Sequence, residues 1–364
     1  MRFPEFSGEW EMVSLQDIAT INPKSDPLQN TFIYIDLEAV EKGELRKIQE
    51  IMREEAPSRA QRVIDNNDIL FQCVRPYQKN NYIHRILNTS NQQWVASTGY
   101  AQIRTTELPN YIYHLLNTDE FNRKVMVRCT GSSYPAINSE DLATIHLYYT
   151  PDKKEQLKIS RLLDLLDKRI ATQNKIIEKL QSLIKGLRVC CMQRVYGNNV
   201  YLSEIAQIYQ PQTISSTELT EDGFLVYGAN GIIGKYKDYN HETEQICITC
   251  RGNTCGMVNY TKPMSWITGN AMVINTDKYQ DKVCKRYLYH YLSAYNFNSI
   301  ISGSGQPQIV RTPLEKLKIT LPTISEQKQK AIIFDKIQDK IDINHKVLNL
   351  YIGQKQYLLR QMFI

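Results

Sequence analysis

The sequence predicts a mixed α/β (α+β) protein in which two globular domains are separated by two long helices, the whole forming an internal repeat. The phrase GSSYPAI at 131–137 returns as GSGQPQI at 303–309. Short alternating runs typical of strands precede the phrase in each half, and a sustained heptad pattern follows it. The predicted boundaries are a first globular domain at 1–150, a central helix at 151–197, a second globular domain at 198–322 and a C-terminal helix at 323–364.

Composition limits the class of protein. A chain of 364 residues is long enough for two domains with their own cores. Hydrophobic residues at 42% and charged residues at 23% are ordinary for a soluble protein, and no apolar run approaches the roughly 20 residues that span a bilayer. The N-terminus MRFPEFSGEWEMVSL lacks a basic-then-apolar signal pattern, so we expect a cytoplasmic protein with free thiols.

The repeat extends well beyond the seven-residue phrase. Proline and then Glu-Gln occur at 151–156 and again at 322–327. The other matched pieces, in the same order in both halves, are VSLQDIA (13–19) with VYLSEIA (200–206), Arg75 after DILFQCV with Arg251 after EQICITC, YIYHLL (111–116) with YLYHYL (287–292), and Leu142, Ile145 and Leu147 with Leu314, Leu317 and Ile319. A period this long indicates a duplicated domain with an appendage rather than a solenoid.

The sequence predicts several strands and a few helices in each globular half. The predicted strands are FIYIDL, DILFQCV, WVASTGYAQI and HLYYTP in the first half, and FLVYG, QICITC, MVIN and KITLP in the second. Proline ends the last strand of each half because it cannot continue a ladder. One helix is predicted through YIYHLLNTDEFNRKV, and GANGIIG at 228–234 is predicted to be a turn between strands, since it lacks the G-x-G-x-x-G spacing of a dinucleotide loop.

Two heptad seams give the clearest periodicity. They comprise Leu163, Leu166, Ile170, Gln173, Ile177, Leu180, Ile184, Leu187 and Cys191, and then Phe334, Ile337, Ile341, Asn344, Leu348, Tyr351, Lys355, Leu358 and Met362. Gln173 and Asn344 occupy the same place in each seam, where a polar residue fixes register at a cost in stability. We predict that the two helices pair within the chain; packing on their own globular segments or on another protein is the alternative. Ser325 is taken as the start signal of the second helix.

Catalytic signatures are missing from the sequence. It has no phosphate-binding P-loop, no H-E-x-x-H, no G-x-S-x-G and no D-P-P-Y-like tetrapeptide. Cys247, Cys250 and Cys255 form a C-x-x-C-x4-C cluster, and His241 is the nearest fourth ligand for zinc, but its spacing is unfamiliar and core cysteines are favoured. His114 and His290, at matching places on helices, are interpreted as packing residues.

Loops that follow the alternating runs carry the candidate binding residues. They mix Arg, Lys and Asn with aromatic residues, the types that contact base edges and phosphates. The candidates are Arg75, Tyr77, Lys79, Asn80, Asn81, Asn230, Lys235, Lys237, Arg251 and Asn253. Any one of them is as consistent with a solvated loop, but their equivalent placement in two halves indicates a binding surface.

The chain resembles the specificity subunits of type I DNA restriction–modification systems. The features that carry the resemblance are the opening FPEF…WEMVSLQDIA, the two G-S-x-x-P-x-I phrases, the two P-x-x-x-E-Q motifs and the paired heptad helices. The resemblance implies two target-recognition domains, each reading one half of a bipartite site in double-stranded DNA, and two antiparallel helices that set the spacer and dock two modification (methyltransferase) subunits. The resemblance also implies that restriction (ATP-dependent translocase/nuclease) subunits join that core. It further implies that the partners bind S-adenosylmethionine and ATP, so this chain would be non-catalytic, with no cofactor and no metal of its own.

The two phrases acquire a role from this resemblance. Ser132, Tyr134, Ser304 and Gln306 become candidates for contact with the DNA backbone, and Gly303 and Gly305 would permit a turn. On this resemblance, the difference between Tyr134 and Gln306 is where we expect the two copies to have diverged to read different bases.

Charge is unevenly distributed along the chain. Residues 1–150 carry 15 basic and 19 acidic side chains, a net of −4, whereas residues 151–196 carry 11 and 5, a net of +6. The remaining segments, 197–322 and 323–364, have net charges of +1 and +3. We therefore expect weak DNA affinity for the isolated chain. Two other classes stay open on the sequence alone: a coiled-coil scaffold whose globular domains bind protein, and a cysteine-metal enzyme.

Overall fold

Two compact units make up the protein. The structure, a computed structural model, describes residues 2–85, 92–193, 196–229, 231–303 and 305–363. One unit comprises Met1–Asn174 and Val347–Ile364, and the other comprises Lys175–Lys346. Each unit therefore contains one globular part and a portion of each long helix.

Short strands and helices form the first unit. Its strands are β1 (Glu11–Ser14), β2 (Ala19–Ile21), β3 (Thr31–Ile35), β4 (Val40–Glu41), β5 (Glu44–Leu45), β6 (Gln49–Met52), β7 (Ala60–Ile64), β8 (Ile69–Gln72), β9 (Tyr82–Ile83), β10 (Gln93–Ser97), β11 (Tyr100–Thr105) and β12 (His146–Tyr149). Its helices are α1 (Leu15–Ile18), α2 (Pro109–Leu116), α3 (Asp119–Arg128), α4 (Ser139–Ala143) and the first part of α5 (Lys153–Gln193). Two four-stranded sheets have the orders β6-β3-β10-β7 and β2-β11-β8-β9, and β1 pairs with β12.

The second unit repeats this plan with fewer strands. Its strands are β13 (Asn198–Tyr201), β14 (Gln207–Tyr209), β15 (Phe224–Gly228), β16 (Gly231–Tyr236), β17 (Ile246–Thr249), β18 (Val258–Tyr260), β19 (Ser265–Ile267), β20 (Ala271–Asn275) and β21 (Lys318–Leu321). Its helices are α6 (Lys285–Ala294), α7 (Arg311–Glu315) and α8 (Ile324–Met362), which continues into the first unit. The sheets have the orders β14-β20-β17-β18 and β16-β15-β19, and β13 pairs with β21.

The strand pairings identify the counterparts in the two units. A parallel pair occurs in each unit, β3 with β10 and β15 with β19. The antiparallel pair β8–β11 corresponds in the same way to β17–β20. The mixed α/β class, the two domains and the strands predicted at the other quoted runs are confirmed. The run WVASTGYAQI, predicted as one strand, is divided between β10 and β11, which lie in different sheets.

One predicted helix is in fact two. The segment YIYHLLNTDEFNRKV is divided between α2 and α3, because Thr118 starts a new helix by accepting a hydrogen bond from the Phe121 N–H. Ser and Thr compete with continuing helical hydrogen bonds in this way wherever their side chains reach the next turn.

The two long helices bury the side chains at their predicted seam positions. In the second unit, Ile184, Phe334 and Ile341 form one buried cluster, and the half-buried Leu180, Leu187, Cys191 and Ile337 pack against it. In the first unit, Leu163, Leu166, Leu358 and Met362 belong to the main core. Ile177, Gln173 and Asn344 are buried, whereas Ile170, Leu348, Tyr351 and Lys355 are half-buried.

The helices run antiparallel within the first unit. Asp167 forms an ion pair with Lys355, and the Arg169 guanidinium lies 5.7 Å from the centroid of the Tyr351 ring. Residue numbers therefore rise along α5 as they fall along α8.

The second long helix, α8, starts at Ile324, one residue before Ser325. Its capping residue is Thr323, whose hydroxyl accepts from the Glu326 N–H, while the Glu326 carboxylate accepts from the Thr323 N–H at 3.0 Å. This reciprocal pair is a capping box, so the predicted role of Ser325 as the start signal is wrong. Over the residues described above, no helix is both long and apolar enough to cross a membrane.

Candidate nucleic-acid interface

The repeated phrase forms a hairpin loop that docks on the loop after a central strand. In the first unit, Thr130 and Ala136 exchange both backbone hydrogen bonds, each at 2.9 Å, and close the loop. Ser302 and Gln308 do the same in the second unit at 2.8 Å. In the first unit the loop closed in this way leaves Ser132, Ser133 and Tyr134 exposed.

The first glycine of each phrase is required by backbone geometry. Gly131 has a φ of +89° and Gly303 a φ of +92°, a conformation that strains other residues. A β-carbon on Gly303 would also lie 2.4 Å from the Gln306 carbonyl oxygen. Gly305 has no neighbouring atom within 4 Å of such a carbon, so the turn does not depend on it.

Contacts between the hairpin and the strand loop correct the alignment of the two copies. The Arg75 N–H donates to the Pro135 carbonyl at 2.8 Å, and the matching bond in the second unit comes from Gly252 to Pro307 at 3.0 Å. Val74 forms an isolated antiparallel β-bridge with Ala136, and Arg251 forms one with Gln308. Arg75 therefore corresponds to Gly252, and Arg251 corresponds to Val74. The pairing of Arg75 with Arg251 is wrong by one residue, because Cys73 and Cys250, which follow β8 and β17, are the matching positions. Cys73 accepts from the Ile137 N–H at 3.1 Å, and Cys250 accepts from the Ile309 N–H at 3.0 Å.

Arg75 and Tyr134 form the centre of the first unit's loop surface. Arg75 has a left-handed backbone with φ 54°, and its guanidinium lies 4.3 Å from the centroid of the Tyr134 ring. Tyr134, Tyr77 and Ser132 are exposed. A guanidinium held against a ring presents its donors at a fixed orientation.

The other three candidates in this loop are engaged inside the unit. Lys79 donates to Asp119 at 2.8 Å, and Asp119 also accepts from Arg360, so the two cations lower the pKa of its carboxyl group. The Asn80 side chain accepts from the Lys42 N–H at 3.0 Å.

Asn81 departs from the expectation of a DNA contact. It is 2% exposed; its carbonyl accepts from the Gln72 N–H, and its amide donates to Asn117. Asn81 therefore supports the loop from below.

Three segments meet in the second unit. The hairpin of β15 and β16 carries the Ala229 carbonyl at its tip, which accepts from the hydroxyls of Thr249 and Thr254. The loop that contains Thr254 is in turn bonded to the GSGQPQI hairpin through Gly252. The turn predicted over GANGIIG at 228–234 is too long: Gly228 ends β15 and residues 231–234 belong to β16. Because Gly228 pairs with Gly231, the connection between the two strands is confined to residues 229 and 230.

The second unit's candidates are mostly exposed. Arg251, Asn253, Gln306 and Lys237 are exposed, whereas Lys235 is half-buried and reaches Asp222 at 3.4 Å. Asn230 and Ser304 lie outside the described residues.

The first unit's loop surface includes one element that the sequence did not predict. The β4–β5 hairpin, with Lys42 and Gly43 both at positive φ in its turn, contacts Asn80. Its only sequence signal is a Lys-Gly pair, which is far weaker than Asn-Gly as an indicator of such a turn.

The P-x-x-x-E-Q motif anchors each long helix to its globular part. Gln156 is buried; its carbonyl accepts from the Leu108 N–H at 3.3 Å, and its amide donates to the Thr150 carbonyl at 2.8 Å. Gln327 repeats both bonds, with the Cys284 N–H at 2.8 Å and the Pro322 carbonyl at 3.0 Å. The motif is therefore structural.

The repeated histidines make a second anchor of the same kind. His114 and His290 are buried, and each places Nε2 2.8 Å from an aspartate of a long helix, Asp164 or Asp335. Burial lowers the pKa of His290 to about 4. Both histidines are packed in the interior, as predicted, and each also forms a hydrogen bond with an aspartate of a long helix.

The cysteine cluster is divided between two cores. Cys247 packs with Tyr227 and Ile267, while Cys250 belongs to the cluster around Leu288. Burial raises the pKa of Cys247 to about 12, which disfavours the thiolate that zinc needs. Within the described part of the chain, no group of three or more potential ligands is suited to a metal ion.

Comparison with known proteins gives one family match. A family model described as type I restriction modification DNA specificity domain matches residues 7–182 and 198–350. The EcoprrI specificity subunit of Escherichia coli is 31% identical over 147 residues, covering 39% of this chain and 36% of that protein. A putative type I specificity subunit of Haemophilus influenzae, S.HindORF215P, is 27% identical over 140 residues, covering 37% and 35%. The alignments span about a third of the length of these curated relatives.

Solved structures share the fold. The S subunit of a type I restriction–modification system from M. genitalium matches with a TM-score of 0.68 at 15% identity, over 98% of this chain and 96% of that one. A chain from a structure of complex assembly in the type I R-M system matches with a TM-score of 0.59 at 19% identity, over 97% of both chains.

Proposed function

We propose that this chain is the DNA-reading specificity subunit of a type I restriction–modification complex. It belongs to the family of type I restriction–modification DNA specificity domains. Each globular domain would read one half of a bipartite site. The observation that carries the proposal is the hairpin-on-loop geometry, which occurs once in each unit with different exposed side chains.

The exposed side chains are suited to reading bases and phosphates. Arginine recognises guanine through two parallel hydrogen bonds, and asparagine or glutamine recognises adenine in the same way. In the first unit the exposed Tyr77, Ser132 and Tyr134 would contact DNA together with the half-buried Arg75, and in the second Arg251, Asn253, Gln306 and Lys237 would do so. Because the two sets differ, the two half-sites should differ in sequence.

The partners in this proposal are double-stranded DNA, two methyltransferase subunits and, through them, the restriction subunits. Cofactor chemistry with S-adenosylmethionine and ATP would belong to those partners, leaving this chain non-catalytic. The long helices carry the surplus positive charge, +6 over residues 151–196, which would face spacer phosphates or acidic partner surfaces. Since each helix contributes to both units, the pair is suited to setting the spacer between half-sites. A protein-binding scaffold is not favoured, because the family that matches is a DNA specificity domain.

The test uses the chain assembled with its methyltransferase subunits. Methylated sites in host DNA, compared with and without this chain, should yield one bipartite sequence, and the complex should bind a duplex of that sequence in a salt-dependent manner. Replacing residues 1–145 with those of another family member should change one half-site only. A change in both half-sites, or methylation that does not depend on this chain, would contradict the proposal.

The spacer role has its own test. Adding seven residues, one heptad, to α5 within the 163–191 seam, with the matching heptad added to α8, should lengthen the spacer or abolish methylation. Methylation at the original spacing would contradict that role.

A further inference from the structure

Two consecutive isoleucines are exposed on strand β16. Ile232 is 53% exposed and Ile233 is 45% exposed. A regular strand turns successive side chains to opposite faces, so one of the two should be covered by the sheet. Here the pairing shifts: Val226 is opposite Gly234, whereas Tyr227 is opposite Ile232, and Ile233 is the extra residue of a β-bulge. Bulges re-aim side chains in this way beside functional sites.

The position of β16 makes this exposure costly. It is the edge strand of the β16-β15-β19 sheet, and in the described part of the chain its outer side is bridged at Lys235, by Thr220. An apolar edge is a risk for aggregation unless a partner covers it.

The surroundings of the hairpin indicate which partner. Its tip is bonded to the loop of Arg251 and Asn253 through Thr254, at 3.4 Å, and that loop is bonded to the GSGQPQI hairpin. The three segments, 227–237, 250–256 and 302–309, include Lys235, Lys237 and Arg251 and no acidic residue. Lys235 is paired with Asp222 at 3.4 Å, so the positive charge of this surface rests on Lys237 and Arg251. This charge complements a polyanion.

We propose that Ile232 and Ile233 pack against the 5-methyl group of a thymine in the half-site read by the second unit, an inference that rests on the proposed function. The thymine methyl is the apolar feature of the major groove, and a two-stranded β-ribbon such as β15–β16 fits that groove. In the first unit the corresponding strands, β3 and β6, are not joined by a tight turn but by residues 36–48, which include the acidic β4–β5 hairpin. The contact is therefore specific to one half-site.

The experiment removes one methyl group at a time. The chain is assembled with its methyltransferase subunits, and each thymine of the second half-site, on either strand, is replaced by uracil. We expect one replacement to weaken binding of the unchanged chain about fourfold, the factor for losing the burial of one apolar carbon group. The Ile232→Ser/Ile233→Ser double variant should bind the thymine duplex about as weakly as the unchanged chain binds the uracil duplex. It should no longer distinguish thymine from uracil.

Two further variants keep the test decisive. Ile232→Val/Ile233→Val retains branched apolar side chains and should retain the uracil effect. Ile48→Ser alters an exposed isoleucine of the first unit and should leave the effect at the second half-site unchanged. Thermal unfolding shows that each variant is folded.

The outcomes separate this inference from the proposed function. Specific binding with no uracil effect at any position, an effect that survives in the serine variant, or a second half-site without an A·T pair would each overturn the inference alone. Absence of any specific bipartite binding would overturn the proposed function and the inference together.

Discussion

The Arg75 guanidinium lies 4.3 Å from the centre of the Tyr134 ring, although the two residues come from different loops. The contact depends on the hydrogen bond from the Arg75 N–H to the Pro135 carbonyl, which docks one loop on the other. The second unit keeps the backbone bond at Gly252 but has Gln306 in place of the tyrosine. The shared backbone arrangement therefore holds different side chains in the two units.

Arg75→Gly should separate recognition from stability. Glycine adopts the left-handed backbone at this position without strain, which offsets the loss of the cation–π contact, so the free energy of unfolding should change by less than about 1 kcal/mol. Binding by the methyltransferase complex should weaken by roughly tenfold or more, since a good arginine–base pair contributes about 1–3 kcal/mol. Titration of a labelled duplex measures this. Arg123→Ala, at an exposed arginine of α3, is the matched control and should bind as the unchanged chain does.

Gly303→Ala should destabilise the second unit, whereas Gly305→Ala should not. Alanine at 303 would combine a positive φ of +92° with a β-carbon 2.4 Å from the Gln306 carbonyl oxygen, and we expect a loss of about 1–3 kcal/mol. Chemical denaturation of the two variants side by side checks this. Equal stabilities would show that the first glycine of the phrase is not required by its geometry.

Gln327→Ala should lower stability by about 1–3 kcal/mol, because it leaves the Cys284 N–H and the Pro322 carbonyl without their buried partner. Gln354→Ala, at an exposed position of the same helix, is the control and should stay within about 0.5 kcal/mol. Urea denaturation followed by circular dichroism measures both. A loss of similar size at Gln354 would mean that removing any glutamine side chain from this helix, rather than removing the anchor at Gln327, is responsible.

His84 should make stability depend on pH. It is buried beside Trp94, with ring centroids 4.8 Å apart, and burial lowers its pKa from 6.5 to about 4. Between these values the unfolded chain binds a proton that the folded chain does not, so stability falls as pH drops from about 6.5 to 4 and changes no further below that. The contribution is about 3 kcal/mol.

His84→Phe removes this titration. The unfolding free energy of the unchanged chain, minus that of the variant, should therefore fall by about 3 kcal/mol from pH 7 to pH 4, since the effect of the carboxylates is shared by both chains. A difference that is constant with pH would show that His84 titrates alike in the folded and unfolded chains.

The sequence by itself determined the duplication, the strands and the two long helices, because hydrophobic periodicity and repeated phrases are local properties of the chain. The seam side chains Leu163, Ile184, Phe334 and Ile341 are buried at the positions that the heptads predict. The repeated glutamines and histidines were visible as motifs, but their anchoring role depends on partners such as Leu108, Asp164 and Asp335, which lie far away along the chain.

Only the tertiary structure decided which loop residues face outward and how the copies align. Asn81 and Arg75 are both polar and only six positions apart, yet one is enclosed by hydrogen bonds and the other stacks on an exposed ring. Gly252 is the counterpart of Arg75 because of backbone hydrogen bonds between distant segments. The pairing of β15 with β16 likewise produces the bulge that exposes Ile232 together with Ile233. A pattern of side chains along the chain does not specify such bonds, since every residue other than proline offers the same N–H and C=O groups.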